Sequence, residues 1–148
     1  MVNDAKAAHV VVIEDNDADV LLVRKALDES SLGYVMTRFE DGDEALRALC
    51  PETGEAELLP DILVMDLNFP RSEGIDLLLR IRQAPRLAQV PVMILTSSES
   101  PSDMHKTALL GADRYLLKPA QLDEFLTKVG TGIKDLLLEG RREKRQHG

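Results

Sequence analysis

The feature that most constrains this chain is a short apolar run, Ile62 to Met65, that ends on an aspartate, Asp66, with Pro70 four residues later. A continuous apolar run bounded by turn signals is typical of a strand buried on both faces, as in a parallel sheet. Such a strand carries Asp66 to its carboxyl end, the edge at which open α/β sheets bind ligands. A carboxylate there is unfavourable unless a partner, a metal or a reaction compensates for its burial.

The rest of the chain alternates between strand and helix patterns. Strands are predicted at 10–13, 34–39, 62–65, 90–95 and 113–117, and helices at 18–27, 45–49, 75–81, 101–110 and 121–139. The last helix is expected to be interrupted at Gly130 and Gly132. Five strands alternating with five helices predict right-handed crossovers and an α/β fold in a single domain. We expect a flavodoxin-like (βα)5, doubly wound, five-stranded parallel sheet with strand order 2-1-3-4-5.

Composition narrows the class of protein. The 148 residues fit one domain, and 44% hydrophobic with 30% charged residues is typical of a soluble globular chain. A net charge of −8 argues against nucleic-acid or anionic-membrane partners. No apolar run approaches the roughly 20 residues that span a bilayer. The single cysteine, Cys50, excludes an internal disulfide and favours the reducing cytoplasm.

Polar side chains collect where the predicted strands end. Because the carboxyl ends of parallel strands share one edge, residues distant in sequence should meet there. These residues are Glu14 and Asp15 after the first strand, Asp66 after the third, Thr96 after the fourth and Lys118 after the fifth. Crowded carboxylates repel unless a cation neutralises them, and oxygen ligands suit Mg²⁺.

This set predicts chemistry at phosphorus. With Mg²⁺ on one side, Asp66 could attack a phosphoryl group and form an acyl phosphate. Lys118, the Thr96 hydroxyl and the backbone N–H groups at Thr96 and Ser97 would hold the phosphoryl oxygens. Each residue alone also has a simpler interpretation: Glu14 and Asp15 suit a helix N-terminus, and Thr96 could bond the local backbone. The joint placement at successive strand ends favours the chemical interpretation.

Four motifs give the chain a family resemblance: VVIEDN, VMDLNFP with Gly74 behind it, LTSS, and YLLKP. Over roughly residues 9–130 the sequence resembles a two-component response-regulator receiver domain. The resemblance implies transfer of a phosphoryl group from a phosphohistidine on a sensor histidine kinase, with Mg²⁺ as cofactor. On this basis we expect a flexible leader at 1–8, a receiver domain with an extended last helix at 9–139 and a basic polar tail at 140–148.

The resemblance also assigns roles to single residues. Asp66 would be the phosphoacceptor. Glu14, Asp15, Asp66 and the backbone carbonyl of Asn68 would hold the metal. Lys118, Thr96 and Ser97 would bind the phosphate, Thr96 and Tyr115 would form a switch pair, and the Lys118–Pro119 bond is expected to be cis. Phosphorylation would then change the surface formed by the fourth helix, fifth strand and fifth helix.

A narrower resemblance is to the stand-alone response regulators that partner bacterial phytochromes. Its cues are EDNDADVLLVRKAL, DLNFPRSEGIDLLLRIR, VPVMILTSS and the long connection before Pro60. It implies a red-light-sensing kinase, a bacteriophytochrome, as upstream partner. The last helix continues through Leu136, Leu137 and Leu138 beyond what the fold needs, so we also expect a homodimer.

Two other classes of function stay open. A phosphohydrolase with an aspartyl-phosphate intermediate would need a second aspartate two residues after the nucleophile, where this chain has Asn68. A receiver-shaped interaction module that is never phosphorylated would not need the full set of site residues. A dinucleotide-binding domain is disfavoured because EDND, and no glycine-rich loop, follows the first strand. We therefore expect no catalysis beyond phosphorylation and slow dephosphorylation of the protein itself.

Overall fold

The computed structural model describes residues 7–51, 54, 58–68 and 74–147, with side chains described through residue 140. Most of the predicted leader, part of the connection before Pro60 and the side chains of the basic tail lie outside the described residues. The elements in chain order are β1 (Ala8–Ile13), α1 (Asp17–Glu29), β2 (Tyr34–Phe39), α2 (Gly42–Leu49), β3 (Ile62–Met65), α3 (Gly74–Gln83), a 3-10 turn (Pro85–Leu87), β4 (Val92–Thr96), α4 (Pro101–Leu109), β5 (Arg114–Leu117) and α5 (Leu122–His147).

The strands form one sheet in the order β2-β1-β3-β4-β5, and each neighbouring pair is parallel. The predicted α/β class, parallel pairing and strand order 2-1-3-4-5 are therefore confirmed. All four residues of β3 are buried, as its unbroken apolar run predicted. The edge strands β2 and β5 are only partly buried, which explains their weaker apolar patterns.

Two apolar layers hold the sheet, one on each face. Successive residues of a strand point to opposite faces, so Val10 and Val12 belong to one layer and Val11 and Ile13 to the other. Helices α1 and α5 cover the first face, and α2 and α3 cover the second. Each fully buried aliphatic side chain contributes about 1.5–3 kcal/mol relative to exposure, so the core is mainly aliphatic, with one phenylalanine in each layer, Phe125 and Phe39.

Short polar side chains begin three of the helices. The Asn16 carboxamide oxygen accepts a hydrogen bond from the backbone N–H of Asp19 at 3.0 Å and so starts α1 directly after β1. Asp41 and Ser100 make the same kind of bond at the starts of α2 and α4. These caps satisfy N–H groups that a helix leaves without internal partners. The loops at the carboxyl ends of the strands are thereby kept short.

Several element boundaries differ from the sequence predictions. Strand β4 begins at Val92 rather than Val90, since Pro91 has no N–H to give to a ladder. Helix α5 is continuous to His147, eight residues beyond the predicted end, and Gly130 and Gly132 do not interrupt it. A Cβ on Gly130 would lie 3.2 Å from the carbonyl oxygen of Ala26, so the glycine permits close packing of α5 on α1.

The expected cis peptide at Lys118–Pro119 is wrong: no described residue has a cis peptide bond. The trans form is the lower in energy by about 0.5–1 kcal/mol for bonds before proline, and here it prevails. None of the helices in the described ranges combines the length and the apolar character needed to cross a bilayer.

Candidate functional site

The sheet brings the predicted site residues to its carboxyl edge. Glu14 and Asp15 follow β1, Asp66 follows β3, Thr96 ends β4, and Lys118 follows β5. Glu14, Asp66 and Thr96 are buried, with 4%, 6% and 0% of their surface exposed, while Asp15 is exposed. Convergence of these residues was expected from the strand ends alone. Polar groups buried to this degree require specific partners.

Asp66 has a fixed set of hydrogen-bond donors. Its Oδ1 accepts from the backbone N–H of Leu67 at 2.6 Å and of Asn68 at 3.3 Å. Its Oδ2 accepts from Lys118 Nζ at 2.9 Å. The backbone of Asp66 is held in the sheet through a bond from its N–H to the carbonyl of Ile13 at 3.1 Å. The carboxylate is therefore oriented by charge and by backbone before any ligand arrives.

Lys118 lies at the centre of three carboxylates. Its Nζ is 2.8 Å from Glu14 Oε1, 2.7 Å from Asp19 Oδ2 and 2.9 Å from Asp66 Oδ2. An ammonium group has three N–H donors, so these three bonds use all of them. Burial lowers the pKa of Lys118, but the hydrogen bonds to Asp19, Glu14 and Asp66 raise that pKa more, and the side chain stays charged.

Among the acidic residues that the structure describes, Glu14 has the most altered pKa. Burial raises the pKa of Glu14 to about 7, the bond from Lys118 opposes the rise, and the negative charge of Asp66 adds to it. Its second oxygen, Oε2, accepts from the backbone N–H of Asn16 at 3.3 Å. A carboxyl group with a pKa in this range gives up its proton readily when a cation binds.

Three of the carboxylates fit a hard divalent cation. Glu14, Asp15 and Asp66 each offer one oxygen, and the three oxygens lie within 4.8 Å of one another. An oxygen-only set of carboxylates that also leaves room for water suits Mg²⁺ or Mn²⁺. Asp15, being exposed, gives the cation access from solvent. Asn68 lies in the same loop, two residues beyond Asp66.

The remaining predicted residues lie on the β4 side of the edge. The Thr96 hydroxyl oxygen accepts from the backbone N–H of Ser98 at 3.3 Å. The Tyr115 hydroxyl donates to the carbonyl of Ser98 at 2.8 Å, and Tyr115 is half-buried on β5. Burial raises the pKa of Tyr115, which therefore remains a hydrogen-bond donor. Thr96 and Tyr115 thus contact the same residue, Ser98, whereas Ser97 is exposed.

Two residues that contact the site residues, Asp19 and Arg38, were not predicted from the sequence. Asp19 was passed over because an acid in the first turn of a helix has an ordinary explanation in the helix dipole. The signal was its place in a helix that starts at the carboxyl edge, where a first-turn side chain lies next to the strand ends. Arg38, near the end of β2, donates from Nε to the carbonyl of Glu14 at 2.9 Å and pairs with Asp17 at 2.8 Å. Its position at a weakly alternating edge strand gave no comparable signal.

Gly74, the first residue of α3, packs directly against the backbone of Asp66 and Leu67. A Cβ at this position would fall 2.5 Å from Leu67 Cα and 2.8 Å from the carbonyl oxygen of Asp66. The backbone N–H of Gly74 donates to the Leu67 carbonyl at 2.9 Å. Only glycine permits this approach, so the residue fixes the backbone that follows Asp66.

Comparison with known proteins agrees with this geometry. A family model described as response regulator receiver domain matches residues 10–130. Response regulator Rcp1 of Synechocystis sp. is 33% identical over 132 residues, which cover 88% of this chain and 88% of Rcp1.

Two solved structures have the same fold as this chain and are each 30% identical to it in sequence. The phosphorylated cyanobacterial phytochrome response regulator RcpA superimposes with a TM-score of 0.80 at 30% identity, covering 90% of this chain and 95% of RcpA. The Mn²⁺-bound form of Rcp1 has a TM-score of 0.76 at 30% identity, covering 84% of this chain and 90% of Rcp1. Phosphorylation and Mg²⁺ binding are typical of this group of two-component signalling proteins. The chain therefore belongs to the response-regulator receiver family.

Proposed function

We propose that this receiver accepts a phosphoryl group on Asp66 from a sensor histidine kinase in a Mg²⁺-dependent reaction. The observation that carries the proposal is the environment of Asp66. One of its oxygens bonds to Lys118 Nζ at 2.9 Å, and the carboxylate shares a set of oxygens within 4.8 Å with Glu14 and Asp15. This arrangement supplies a nucleophile, a fixed cation and ligands for a second cation.

Each site residue has a separate role in the phosphoryl transfer. An Asp66 carboxylate oxygen attacks the phosphorus of the phosphohistidine, so that an O–P bond forms, the N–P bond breaks and the imidazole leaves with the bonding electron pair. Glu14, Asp15, Asp66 and the backbone carbonyl of Asn68 would hold Mg²⁺, which neutralises charge on the phosphoryl oxygens when bound. Lys118, the Thr96 hydroxyl and the Ser97 backbone N–H receive the remaining oxygens. The leaving imidazole is protonated by solvent.

The switch follows from the bonds around Ser98. A phosphoryl group on Asp66 would draw the Thr96 hydroxyl towards it and away from the Ser98 N–H, now 3.3 Å from Thr96 Oγ1. Tyr115 bonds to the Ser98 carbonyl and would respond to movement of this loop. The change would reach the surface formed by α4, β5 and α5, where Met104, Leu109 and Leu122 are exposed.

The test is intact mass spectrometry after incubation with acetyl phosphate. One added phosphoryl group is expected in wild type with Mg²⁺, and none without Mg²⁺ or in Asp66→Asn. Addition that persists in Asp66→Asn would show that another residue is the acceptor. No addition to a folded, Mg²⁺-binding protein, from acetyl phosphate or from a kinase, would favour the interaction module instead. A phosphohydrolase would turn over a small phosphoester such as p-nitrophenyl phosphate, which we expect this chain not to do.

We further propose that the kinase is of the phytochrome type. The support is the similarity to Rcp1 and to RcpA, which is described as a phytochrome response regulator, over nearly the whole chain. A phytochrome histidine kinase from the same organism should transfer its phosphoryl group to wild type and not to Asp66→Asn. The transfer rate should change between red and far-red illumination. Equal transfer from an unrelated histidine kinase under both conditions would count against this pairing.

The homodimer remains a proposal, now restricted to a smaller surface. Leu136 and Leu137 are core residues with 2% and 6% exposure, so only Leu138, at 51%, is available from the predicted leucine run. The support is the length of α5, whose 26 residues extend about 39 Å. Light scattering should find a dimer for the full chain and a monomer for Leu138→Glu, which puts a charge on the exposed leucine. A monomer for both, with and without phosphorylation, would refute the proposal.

A further inference from the structure

Asp19 is the one partner of Lys118 with no part in the predicted metal site. The three bonds of the Lys118 ammonium reach Glu14, Asp19 and Asp66. Glu14 and Asp66 belong to the oxygen cluster that fits a divalent cation, but Asp19 does not. Cation binding would therefore draw Glu14 and Asp66 towards the metal and leave Asp19 as an acceptor dedicated to the ammonium.

The position of the Asp19 carboxylate is fixed by its own helix. Its backbone N–H donates to the Asn16 side chain at 3.0 Å in the first turn of α1. The Asp19 side chain is 22% exposed and the Lys118 side chain 13%, so water competes only weakly for the 2.7 Å bond between them. A hydrogen bond between two charged groups is roughly twice as strong as one between neutral groups.

These contacts create a competition. A phosphoryl group on Asp66 needs the Lys118 ammonium close to its oxygens. Metal binding would free the N–H groups now bonded to Glu14 and Asp66, but the ammonium would still be held at the Asp19 carboxylate. We propose that Asp19 is a positioning residue that holds the Lys118 ammonium and competes for it with the phosphoryl oxygens, so that it limits how tightly the phosphorylated site is held. This inference rests on the proposed phosphorylation of Asp66. The effect of Asp19 acts through Lys118 and not by contact with the metal.

The test measures binding of beryllofluoride, an anionic analogue of the phosphoryl group, to the full chain by calorimetry at saturating Mg²⁺. Replacing Asp19 with asparagine keeps the shape and an acceptor oxygen but removes the charge. Because the charge-assisted bond weakens by about half, Asp19→Asn should bind beryllofluoride about fivefold more tightly. Asp19→Glu retains a carboxylate and should stay within twofold of wild type.

A matched control lies in the same helical turn. Asp17 pairs with Arg38 at 2.8 Å and not with Lys118. Asp17→Asn removes the same charge from α1 and should leave beryllofluoride affinity within twofold of wild type. An equal gain in Asp17→Asn or in Asp19→Glu would overturn the proposal, since general charge or local disturbance would then explain the result. Should Asp19→Asn not fold, Asp19→Ser carries the same expectation.

A purely structural role for Asp19 gives a different pattern. It would lower the urea midpoint of Asp19→Asn but leave its beryllofluoride affinity unchanged or reduced, and either result overturns the proposal. If wild type binds beryllofluoride, Asp66→Asn does not, and Asp19→Asn shows no gain in affinity, this inference alone is refuted. If wild type does not bind beryllofluoride, or binds it no more tightly than Asp66→Asn does, the proposed function is refuted and this inference with it.

Discussion

Two partly buried cations lie at opposite edges of the same sheet, and their partners differ. At the carboxyl edge, the Lys118 ammonium donates its three N–H groups to side-chain carboxylates, those of Glu14, Asp19 and Asp66. At the amino edge, Arg82 of α3 bonds mostly to backbone. Its guanidinium donates to the carbonyls of Leu87 at 3.0 Å, Ala88 at 3.3 Å, Val90 at 2.7 Å and Gly111 at 2.8 Å, and to Asp113 Oδ2 at 3.2 Å.

The difference separates a cation that can exchange partners from one that cannot. Carboxylates have other possible ligands, a metal or a phosphoryl group, so each bond of Lys118 is replaceable. The carbonyls around Arg82 belong to the turns before β4 and β5, and without the guanidinium they would lack a strong donor. Asp113 also accepts from the backbone N–H of Val92 at 2.8 Å, which connects Arg82 to the start of β4. Chemistry is thus expected at one edge and mechanical support at the other.

The largest expected effect is on reaction rate, from Lys118→Met. Loss of one fixed donor to developing charge typically slows a reaction by about 10²–10³, so phosphorylation by acetyl phosphate should fall by that factor. Mg²⁺ should bind at least as tightly as in wild type, because the carboxylates lose a competing cation. Intact mass over time measures the rate and calorimetry the Mg²⁺ affinity.

The control for Lys118→Met is Lys128→Met on the exposed face of α5. Lys128 pairs with Glu124 four residues away in the same helix, and both side chains are about half exposed. The Lys128→Met variant should be phosphorylated by acetyl phosphate at the wild-type rate. A loss below tenfold in Lys118→Met would remove the distinction between the two edges, since the carboxyl-edge cation would then have a structural role only.

Arg82→Ala should produce the opposite result. Removing a charged donor from four backbone carbonyls, two of them on the buried residues Leu87 and Val90, and from Asp113 should lower the free energy of unfolding by about 3 kcal/mol. Phosphorylation of the folded protein should stay within twofold of wild type, because the guanidinium lies at the other edge. Urea denaturation measures the first quantity and intact mass the second. Arg80→Ala, an exposed neighbour in the same helical turn, should change neither.

The same comparison shows what sequence could predict. The carboxyl-edge residues were found because apolar runs located the strands, and parallel strands place their ends together. Thr96 and Lys118 were placed correctly on that reasoning alone. Arg82 was not singled out, since an arginine near the end of a helix is usually a solvated side chain that complements the dipole. Its carbonyl partners come from two separate connections, those before β4 and β5, and no local pattern in the sequence indicates them.

Helices were less accurately predicted than strands. The α5 prediction ended at Glu139 and treated Gly130 and Gly132 as breaks, because glycine lowers helix propensity by about 1 kcal/mol. In the structure each glycine faces a neighbour, Ala26 for Gly130 and Met93 for Gly132, at distances that leave no room for a side chain without adjustment. Tertiary packing outweighs propensity there. Asp19 was missed for a related reason, since its role depends on a lysine 99 residues away in sequence.

Gly74→Ala tests whether the carboxyl edge also contains a purely structural element. The added Cβ would meet Leu67 Cα at 2.5 Å, so the backbone after Asp66 must shift. We expect a loss of roughly 1–3 kcal/mol in unfolding free energy together with slower phosphorylation and weaker Mg²⁺ binding, since that backbone also holds the Asp66 carboxylate. Gly33→Ala is the control, because nothing lies within 4 Å of its Cβ position. Gly74→Ala with unchanged phosphorylation would show that the loop tolerates the shift.

The smallest expected effect concerns pH, and it too separates the two edges. The guanidinium of Arg82 stays charged throughout the neutral range, so the amino edge should not respond. At the carboxyl edge burial raises the pKa of Glu14 to about 7, so a proton must leave before Glu14 can hold a metal. Mg²⁺ affinity, measured by calorimetry, should therefore fall about tenfold from pH 8 to pH 6 and change little above pH 8.

The sign reverses for the stability of the metal-free protein. Because folding raises the pKa of Glu14 from 4.5 to about 7, the protonated group favours the folded state. Its contribution to stability is complete below pH 4.5 and is lost as the pH rises through 7. Glu14→Gln, which mimics the protonated form, should bind Mg²⁺ weakly and remove most of the pH dependence of both quantities between pH 6 and 8. A wild-type Mg²⁺ affinity that is constant over this range would show that Glu14 is already ionised at pH 6 and that Lys118 outweighs burial.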